Sequence, residues 1–375
     1  MLNVHIYPST FTHESRILKE AATLSRKLGF EKIRLVGVAG PGLPPEEVVD
    51  ETTTIHRLAP EKGEGLAKAV RHLIWCLNVV WYCLKRRPGC VNCHSLPVLP
   101  IGVAIKLLTG AQLVYDAHEL ETETAGSKGL RRTLGKIVER ACIGAVDLLI
   151  VVSPAIETWY REHYRLARSV TVLNAPMYQA RTERGTALRD ALGIGTAEKI
   201  ILYQGVLVPH RGIEELVNAA PLLRTNGYVV VLMGPGRLTE MLNEKSRSEG
   251  QFYVHPAVNS NVLLSYTASA DIGLSLIQDA CLSYHYCLPN KIFEYMMAGL
   301  PVIASGLPEM RRVIGGERVG VCLDAYDPQA ILEAIVRVDT MKGPDLDARL
   351  DAVARTYSWE VQEERLVAAY REAIV

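Results

Sequence analysis

Residues 288–305 read LPNKIFEYMMAGLPVIAS, a run in which a helical pattern leads directly into an apolar one. Pro289 and Asn290 predict the start of a helix, Gly299 predicts its end, and Pro301 leads into an apolar run. A helix that is followed at once by a buried strand is typical of sheets covered by helices. The stretch therefore predicts an α/β protein with a parallel sheet.

The same alternation of apolar runs and helical periods extends along the chain. Leu2–Tyr7 predicts a first strand, and Ser15–Leu28 predicts a helix that Gly29 ends. The pattern breaks at Tyr178–Thr186, which is polar, and restarts with the strand Lys199–Tyr203. Two successive α/β halves predict two Rossmann-like domains. The predicted bounds are 1–177 for the first domain, 187–357 for the second, and 358–375 for a final helix that crosses back to the first.

Composition and charge narrow the class of protein. The 375 residues carry 41 basic and 41 acidic side chains, so the formal net charge is zero. A balanced charge argues against nucleic-acid binding, for which a basic surface is expected. The first residues lack the basic and apolar regions of a signal peptide, and eight cysteines without an export signal indicate reduced thiols. We therefore expect a cytoplasmic protein.

A short cysteine motif raises a different hypothesis. The segment Cys90–His94 matches the Cys-x-x-Cys-His pattern of covalently attached haem, and zinc binding or redox chemistry are further alternatives. No other cysteine pair repeats the spacing, and Pro88 and Pro97 bracket the motif as they would a strand between two helices. We expect buried cysteines on a strand, with neither haem nor metal.

The loop after the first strand of the second half suits an anion. Residues 203–212 read YQGVLVPHRG, in which a predicted strand ends at Gly205 and a helix follows Arg211. Free N–H groups at the helix N-terminus and the permanent charge of Arg211 together suit a phosphate or diphosphate. A surface arginine beside a tight turn is the alternative.

Lys291 and Glu294 lie three residues apart and therefore share one face of the predicted helix. Lys291 offers a cation to a phosphate, while Glu294 can accept hydrogen bonds from two neighbouring ribose hydroxyls. The alternative is an ordinary surface ion pair.

Together these segments resemble the donor site of GT-B glycosyltransferases, specifically the retaining family 4. The run Lys291–Ser305 is similar to that family's signature, and Arg211-Gly212 is similar to the pair that grips the donor diphosphate. Further matches are Met233–Gly236, Ala270–Leu274 and Tyr357–Glu360. The resemblance covers nearly the whole chain and implies the GT-B architecture, with two Rossmann-like domains whose parallel sheets face a central cleft.

The resemblance also implies site residues. The implied donor-binding residues are Gly205, Arg211, Gly234, Asn290, Lys291 and Glu294. His118, which follows the strand ending in Tyr115-Asp116-Ala117, matches a histidine that faces the donor sugar across the cleft in this family. The implied catalytic residues are His118, Arg211 and Lys291. A satisfied polar side chain is the alternative for His118.

A loop near the N-terminus is the second candidate for anion or acceptor binding. Residues 9–16 read STFTHESR, where many relatives have a glycine pair. His13 and Arg16 are the candidate ligands, with Arg16 as the anion ligand. Helix capping by Thr12 or Ser15 is the alternative.

The implied activity needs no metal and no cofactor. Asp345-Leu346-Asp347, the only Asp-x-Asp, is expected on a solvated helix face, and basic side chains with helix dipoles neutralise the leaving diphosphate in this family.

The resemblance implies a retaining transfer of sugar from a nucleoside-diphosphate sugar to an acceptor hydroxyl, with lipid-linked or polysaccharide intermediates as candidate acceptors. A nucleotide-sugar 2-epimerase and a non-catalytic sugar-nucleotide-binding homologue are the alternatives. Tyr286 and Val206 replace a glutamate and an arginine common in the family, so the donor sugar and base stay open.

The predicted helix 66–87 combines aliphatic and tryptophan side chains with basic ends. Its apolar residues are Leu73, Ile74, Trp75, Leu77, Val80, Trp81 and Leu84, and a second basic set is Arg131, Arg132, Lys136 and Arg140. We expect this helix to bury most of its apolar face against the sheet. Its basic rim nevertheless predicts weak, salt-sensitive association with anionic membranes, at the inner face of the membrane.

Overall fold

The computed structural model of the protein describes residues 1–60, 65–180 and 185–375. The chain divides into two compact units, residues 1–172 with 363–375 and residues 173–362. The predicted boundaries lie nearby, at a hinge in Tyr178–Thr186 and at residue 358. Part of that predicted hinge, residues 181–184, lies outside the described residues.

The first unit alternates strands and helices. Its strands are β1 (Leu2–Ile6), β2 (Lys32–Ala39), β3 (Glu46–Val48), β4 (Thr53–Pro60), β5 (Cys90–His94), β6 (Gln112–Ala117), β7 (Leu148–Val151) and β8 (Ser169–Thr171). Its helices are α1 (Ser15–Leu28), α2 (Gly65–Arg86), α3 (Leu99–Thr109), α4 (Gly129–Cys142) and α5 (Pro154–His163), with short 3₁₀ turns at Leu96–Val98 and Ile143–Ala145. The predicted helix Ser15–Leu28 is confirmed, and Gly29 ends it in the left-handed conformation that glycine adopts without strain.

The strands of this unit form one sheet. Among the described residues its order is β3-β4-β2-β1-β5-β6-β7-β8. All neighbours are parallel except β3 and β4, which are antiparallel. The order reverses direction between β1 and β5, and ligands of such sheets bind outside the carboxyl ends of the strands at this point.

The second unit repeats the architecture. Its strands are β9 (Lys199–Gln204), β10 (Tyr228–Met233), β11 (Phe252–His255), β12 (Ile272–Ser275), β13 (Val302–Ser305) and β14 (Gly320–Leu323). Its helices are α6 (Ala187–Leu192), α7 (Ile213–Thr225), α8 (Thr239–Glu249), α9 (Leu263–Thr267), α10 (Leu282–His285), α11 (Asn290–Met297), α12 (Pro308–Met310), α13 (Pro328–Met341) and α14 (Pro344–Thr356), with a π-helical turn at Arg311–Gly315. A last helix, α15 (Trp359–Ala373), begins here, and its residues from 363 onward belong to the first unit.

The second sheet is parallel throughout, with the order β11-β10-β9-β12-β13-β14 among the described residues. Its strands are buried on both faces. Ile200 and Leu202 pack into one apolar layer, while Ile201 and Tyr203 pack into the layer on the other side. Strands covered on both faces read as continuous apolar runs, which is why the sequence pattern located them. The predicted α/β class with two parallel sheets is confirmed.

The cysteine motif lies on a buried strand, as predicted. Cys90 and Cys93 lie on β5 with no exposed surface, and the eight described cysteines are free thiols. Burial raises the pKa of both thiols well above the usual range, so neither is a ready thiolate.

Helix α2 departs from the expectation that it buries most of its apolar face. Trp75 is buried and donates a hydrogen bond from Nε1 to the carbonyl of Gly37 at 2.8 Å. In contrast, Leu77 and Trp81 are 61% and 60% exposed. The apolar face of the helix is therefore wider than the part of it that is buried. No helix among the described residues is long and apolar enough to cross a bilayer.

Candidate functional site

A cavity of about 400 Å³ opens beside the carboxyl end of β9 in the second unit. All six residues predicted as donor ligands line it: Gly205, Arg211, Gly234, Asn290, Lys291 and Glu294. They come from three separate segments, namely the loop between β9 and α7, the loop after β10 and helix α11. The fold therefore brings residues from distant parts of the sequence to one cavity.

The two glycines let backbone segments approach each other. Gly205 and Gly234 have φ values of 127° and 144°, which side chains rarely tolerate. A Cβ on Gly234 would lie 2.1 Å from the carbonyl oxygen of Gly205, and a Cβ on Gly205 would lie 3.1 Å from Nζ of Lys291. Glycine is needed at both positions to keep the loops closed around the cavity.

Lys291 is a buried cation at the cavity wall. Its side chain is 9% exposed, and Nζ lies 3.6 Å from the centroid of the Tyr203 ring. Burial, together with the positive charge of Arg211, lowers the pKa of Lys291 to about 7. The alternative of a surface ion pair with Glu294 does not apply, because Lys291 is buried. An anion in the cavity would supply the counter-charge that favours its protonated form.

Arg211 supplies the second positive charge. Its guanidinium carbon lies 4.5 Å from the centroid of the Tyr284 ring, and Gly212 follows with φ 77° before α7 begins at Ile213. A Cβ on Gly212 would lie 2.4 Å from Cβ of Leu276, so glycine is required where the chain enters the helix. The neighbouring Val206 is exposed, and its carbonyl accepts a hydrogen bond from the Tyr203 hydroxyl at 2.9 Å.

Glu294 is held by Gln204, which was not among the predicted site residues. The amide nitrogen of Gln204 donates to Glu294 at 2.5 Å, and the amide oxygen of Gln204 accepts from the Thr267 hydroxyl at 2.8 Å. The Tyr295 hydroxyl accepts from the backbone N–H of Gln204 at 2.9 Å. These bonds fix the glutamine and orient the carboxylate. The sequence feature that could have indicated Gln204 is its position as a polar residue at the end of a mostly apolar strand.

His118 lies in the first unit, just after β6. Its side chain is 26% exposed, and Nε2 lies 2.8 Å from Oδ2 of Asp116. Asp116 is fully buried, as is His94, whose Nδ1 lies 2.9 Å from the same oxygen. No role was predicted for Asp116 and His94, although both lie near the carboxyl ends of neighbouring strands.

The structure places Arg16 away from its expected anion-binding role. Arg16 is buried, donates to both carboxylate oxygens of Asp116 at 2.8 and 3.1 Å, and donates to the carbonyl of Val172 at 2.9 Å. Its charge is therefore already used within the unit. His13 is exposed, and neither Thr12 nor Ser15 caps α1, because the N-cap residue is Glu14 and makes no side-chain capping bond.

Among the described residues, two sets of side chains have the spacing of metal ligands. They are His5 with Glu20 and His94, and His94 with Asp116 and His118, with candidate atoms within 4.8 Å of one another. The guanidinium of Arg16 already neutralises Asp116, which makes this carboxylate a poor cation ligand. Asp345 and Asp347 are exposed in the first turn of α14, as expected for a solvated helix face.

Two family models match the chain. Residues 15–175 match the glycosyl transferase 4-like domain, and residues 198–340 match the glycosyl transferases group 1. A D-inositol 3-phosphate glycosyltransferase from Xylanimonas cellulosilytica is 28% identical over 197 residues, which cover 50% of this chain and 46% of that protein.

Solved structures share the fold over almost the full length. A sucrose-phosphate synthase from Thermosynechococcus elongatus has a TM-score of 0.81 at 18% identity, covering 99% of this chain and 98% of that one. HepE from Anabaena, in complex with UDP-glucose, has a TM-score of 0.73 at 14% identity and covers 99% of each chain. At these identities the likeness establishes the fold alone.

Proposed function

Because the chain belongs to the family-4-like glycosyltransferases of GT-B fold, we propose that it transfers a sugar from a nucleoside-diphosphate sugar to an acceptor hydroxyl. One observation carries the proposal. Six residues chosen from separate sequence segments line a single cavity that contains two cationic side chains and a carboxylate.

The cavity suits the parts of such a donor. Arg211 and Lys291 neutralise the diphosphate, and their charge matters most as negative charge develops on the leaving group. Glu294, oriented by Gln204, accepts hydrogen bonds from the ribose hydroxyls. Two cations at the diphosphate remove the need for a metal, so we propose a metal-independent transfer with retention at the sugar carbon. His118 positions the sugar and steadies its positive charge.

Nucleotide binding tests the placement of the donor. We expect UDP, GDP or ADP to raise the melting temperature of the protein, since a ligand that binds only the folded state stabilises it. Glu294→Ala should weaken that binding by about 1.5–3 kcal/mol, the range for a charged hydrogen bond. The control is Glu244→Ala, which removes an exposed carboxylate from α8. Equal affinity of parent and Glu294→Ala would refute the ribose assignment.

Product analysis separates the alternatives. A 2-epimerase on the same fold would convert a nucleotide sugar with no acceptor present, whereas a transferase requires one for transfer. A non-catalytic homologue would bind nucleotide and show neither transfer nor hydrolysis.

An exposed apolar face in the first unit supports a membrane-borne acceptor. Helix α3 contacts both α2 and α4. The three helices expose Leu73, Ile74, Leu77, Trp81, Leu107, Leu108, Leu130, Leu134 and Ile137. Exposed basic residues on α2 and α4 accompany them: Arg71, Lys85, Arg86, Arg131, Arg132, Lys136 and Arg140. Apolar side chains with a basic rim are typical of surfaces that lie on anionic lipid. We propose that the protein acts at the inner, cytoplasmic face of a membrane on a lipid-linked acceptor.

Sedimentation with liposomes tests this surface. The parent should pellet with phosphatidylglycerol vesicles at low salt and be released at high salt, because each basic residue contributes about 1 kcal/mol near anionic lipid. The double variant Leu77→Ser and Trp81→Ser should pellet less, whereas Val336→Ser, an exposed change on α13, should not. Absence of the parent from the low-salt pellet would point to a soluble acceptor.

A further inference from the structure

A second cavity of the second unit lies apart from the donor cavity. Its volume is about 590 Å³, and the two cavities have no lining residue in common. Its lining contains four arginines and no acidic residue among the described residues: Arg311, Arg318, Arg337 and Arg349. The volume lies in the range of small-molecule sites. We call it the arginine cavity.

The four arginines come from separate parts of the second unit. Arg311 begins the π-helical turn, Arg318 precedes β14, Arg337 lies on α13 and Arg349 lies on α14. Both α13 and the π-helical turn contact β14. The cluster is therefore made by the fold and not by a local run of charge. Bringing like charges together costs electrostatic free energy unless a counter-charge accompanies them.

In the described part of the chain, one of these arginines has a carboxylate partner. Arg311 forms an ion pair with Asp324. Arg349 donates from Nε to the carbonyl of Arg318 at 3.1 Å, which holds the side chain but supplies no negative charge. Arg318 and Arg337 are exposed, and neither pairs with a described carboxylate. Three of the four positive charges in the cavity are therefore not neutralised by the unit itself.

Strand β14 adds backbone donors to the arginine cavity. It is the last strand in the order of the second sheet, next to β13. The carbonyls of Val319 and Leu323 accept hydrogen bonds from β13 and from the residue that follows it. Since successive residues of a strand direct their backbone groups to opposite sides, the N–H groups of Gly320 and Cys322 point away from β13. Both of these residues line the cavity.

We propose that the arginine cavity binds a small oligophosphate anion, at a site separate from the donor cavity. Phosphate oxygens accept paired hydrogen bonds from guanidinium groups and also accept from backbone N–H groups. A diphosphate or triphosphate can match three positive charges, whereas a single phosphate leaves at least one of them unmatched. An acidic peptide fits less well, because β14 has four residues and directs the backbone of two of them outward. The inference does not depend on the proposed function.

Calorimetry with tripolyphosphate in metal-free buffer tests the site. The parent should bind tripolyphosphate, and Arg318→Gln and Arg337→Gln should each raise the Kd about tenfold, the scale of one charged hydrogen bond. The matched control is Arg247→Gln, which removes an exposed arginine of α8 outside the cavity and should leave the Kd unchanged. If Arg247→Gln weakened binding as much as Arg337→Gln, the binding would reflect general charge and the proposal would be wrong.

The donor cavity can also bind polyphosphate, so a variant must separate the two sites. The double variant Arg211→Ala and Lys291→Met removes both cations that line the donor cavity. It should still bind one tripolyphosphate, and the addition of Arg337→Gln should weaken that binding about tenfold. Loss of all tripolyphosphate binding in the double variant would overturn the proposal and leave the proposed function intact. Binding that persists there while UDP, GDP and ADP fail to bind the parent would give the opposite result.

Chemical protection tests the site in the unmodified parent, where no substitution can disturb folding. Phenylglyoxal reacts with exposed arginines, and peptide mass spectrometry measures the extent at each position. Tripolyphosphate should protect Arg318 and Arg337 and should not protect Arg247. Equal reaction of all three with and without tripolyphosphate would overturn the proposal. Stronger protection by a tetraglutamate peptide would overturn it as well, because the cavity would then be a site for acidic peptides.

Discussion

Donor binding should take up a proton at Lys291. This side chain is buried at the cavity wall next to Arg211, and its pKa is about 7. A diphosphate would contribute two negative charges beside both cations, and an opposite charge nearby favours the protonated form. The bound complex should therefore contain charged Lys291 throughout the neutral range, whereas the free protein contains a mixture of both forms.

The size of the effect follows from that pKa. At pH 7 about half of the free molecules would have to gain a proton, so binding takes up about 0.5 proton. Between pH 6 and pH 8.5 the protonated fraction falls from about 0.9 to about 0.03, so the Kd should rise about 30-fold, or about 2 kcal/mol. A nucleoside-diphosphate sugar is the suitable probe, because its diphosphate diester does not itself titrate in this range.

Calorimetry measures both quantities. Titration of UDP-glucose or GDP-glucose in Hepes and in Tris should give heats that differ by the proton uptake times the difference in buffer ionisation heats. Lys291→Arg, which stays charged, should show a Kd independent of pH. Lys291→Met should bind weakly at every pH. Lys245→Met, a change on α8, should keep the parental slope.

Two results would refute this reasoning. One is a parental Kd that is constant from pH 6 to 8.5, and the other is a dependence of Kd on pH in Lys291→Met that equals the parental one.

The free energy of unfolding offers an independent check. The pKa of Lys291 falls from 10.5 in the unfolded chain to about 7, so between these values the unfolded chain binds more protons. Lys291→Met should therefore be more stable than the parent at pH 7, and the difference should shrink towards pH 10.

Three further changes test other parts of the protein. Arg211→Ala should lower the turnover number by about 10²–10³-fold in a transfer assay, the scale for one transition-state donor, and an unchanged turnover number would remove Arg211 from catalysis. Gly234→Ala should lower the melting temperature and abolish nucleotide binding, because its Cβ meets the carbonyl of Gly205, with a cost of about 1–3 kcal/mol for backbone strain. The double variant Cys90→Ala and Cys93→Ala should have the absorption spectrum and metal content of the parent, and a Soret band or stoichiometric zinc in the parent would contradict the structural role.

The local sequence pattern predicts those helix and strand ends that neighbouring residues determine. Ser153 caps α5 by accepting from the N–H of Ile156, and Pro154 occupies its first turn, as their types suggest. The residues that line the cavity were predicted from the family resemblance, and they meet because strand ends and helix starts lie at one edge of a parallel sheet.

Features that depend on residues far away in the sequence could not be predicted from local patterns. Arg16 looked available for an anion, but its acceptor Asp116 is one hundred positions away. Strand β4 was not predicted, and its threonines and Arg57 give it a more polar sequence than the other buried strands. The strand is buried nonetheless, since Arg57 donates to the carbonyls of Thr10 and Pro44. Exposure of α2 likewise depends on the width of the covering sheet.

The first unit is assembled from both ends of the chain, which constrains the order of folding during synthesis. Glu363 accepts from Thr23 at 3.0 Å and pairs with Arg26, and the buried Tyr370 packs edge-on against Phe30. Contacts between residues so far apart in sequence form slowly, because the loss of conformational entropy on closing the intervening loop comes before the contacts can stabilise the fold. The ribosome will have released every strand of both described sheets before Tyr370 emerges. A chain that stops at residue 362 would keep those strands and lack part of the first unit's core.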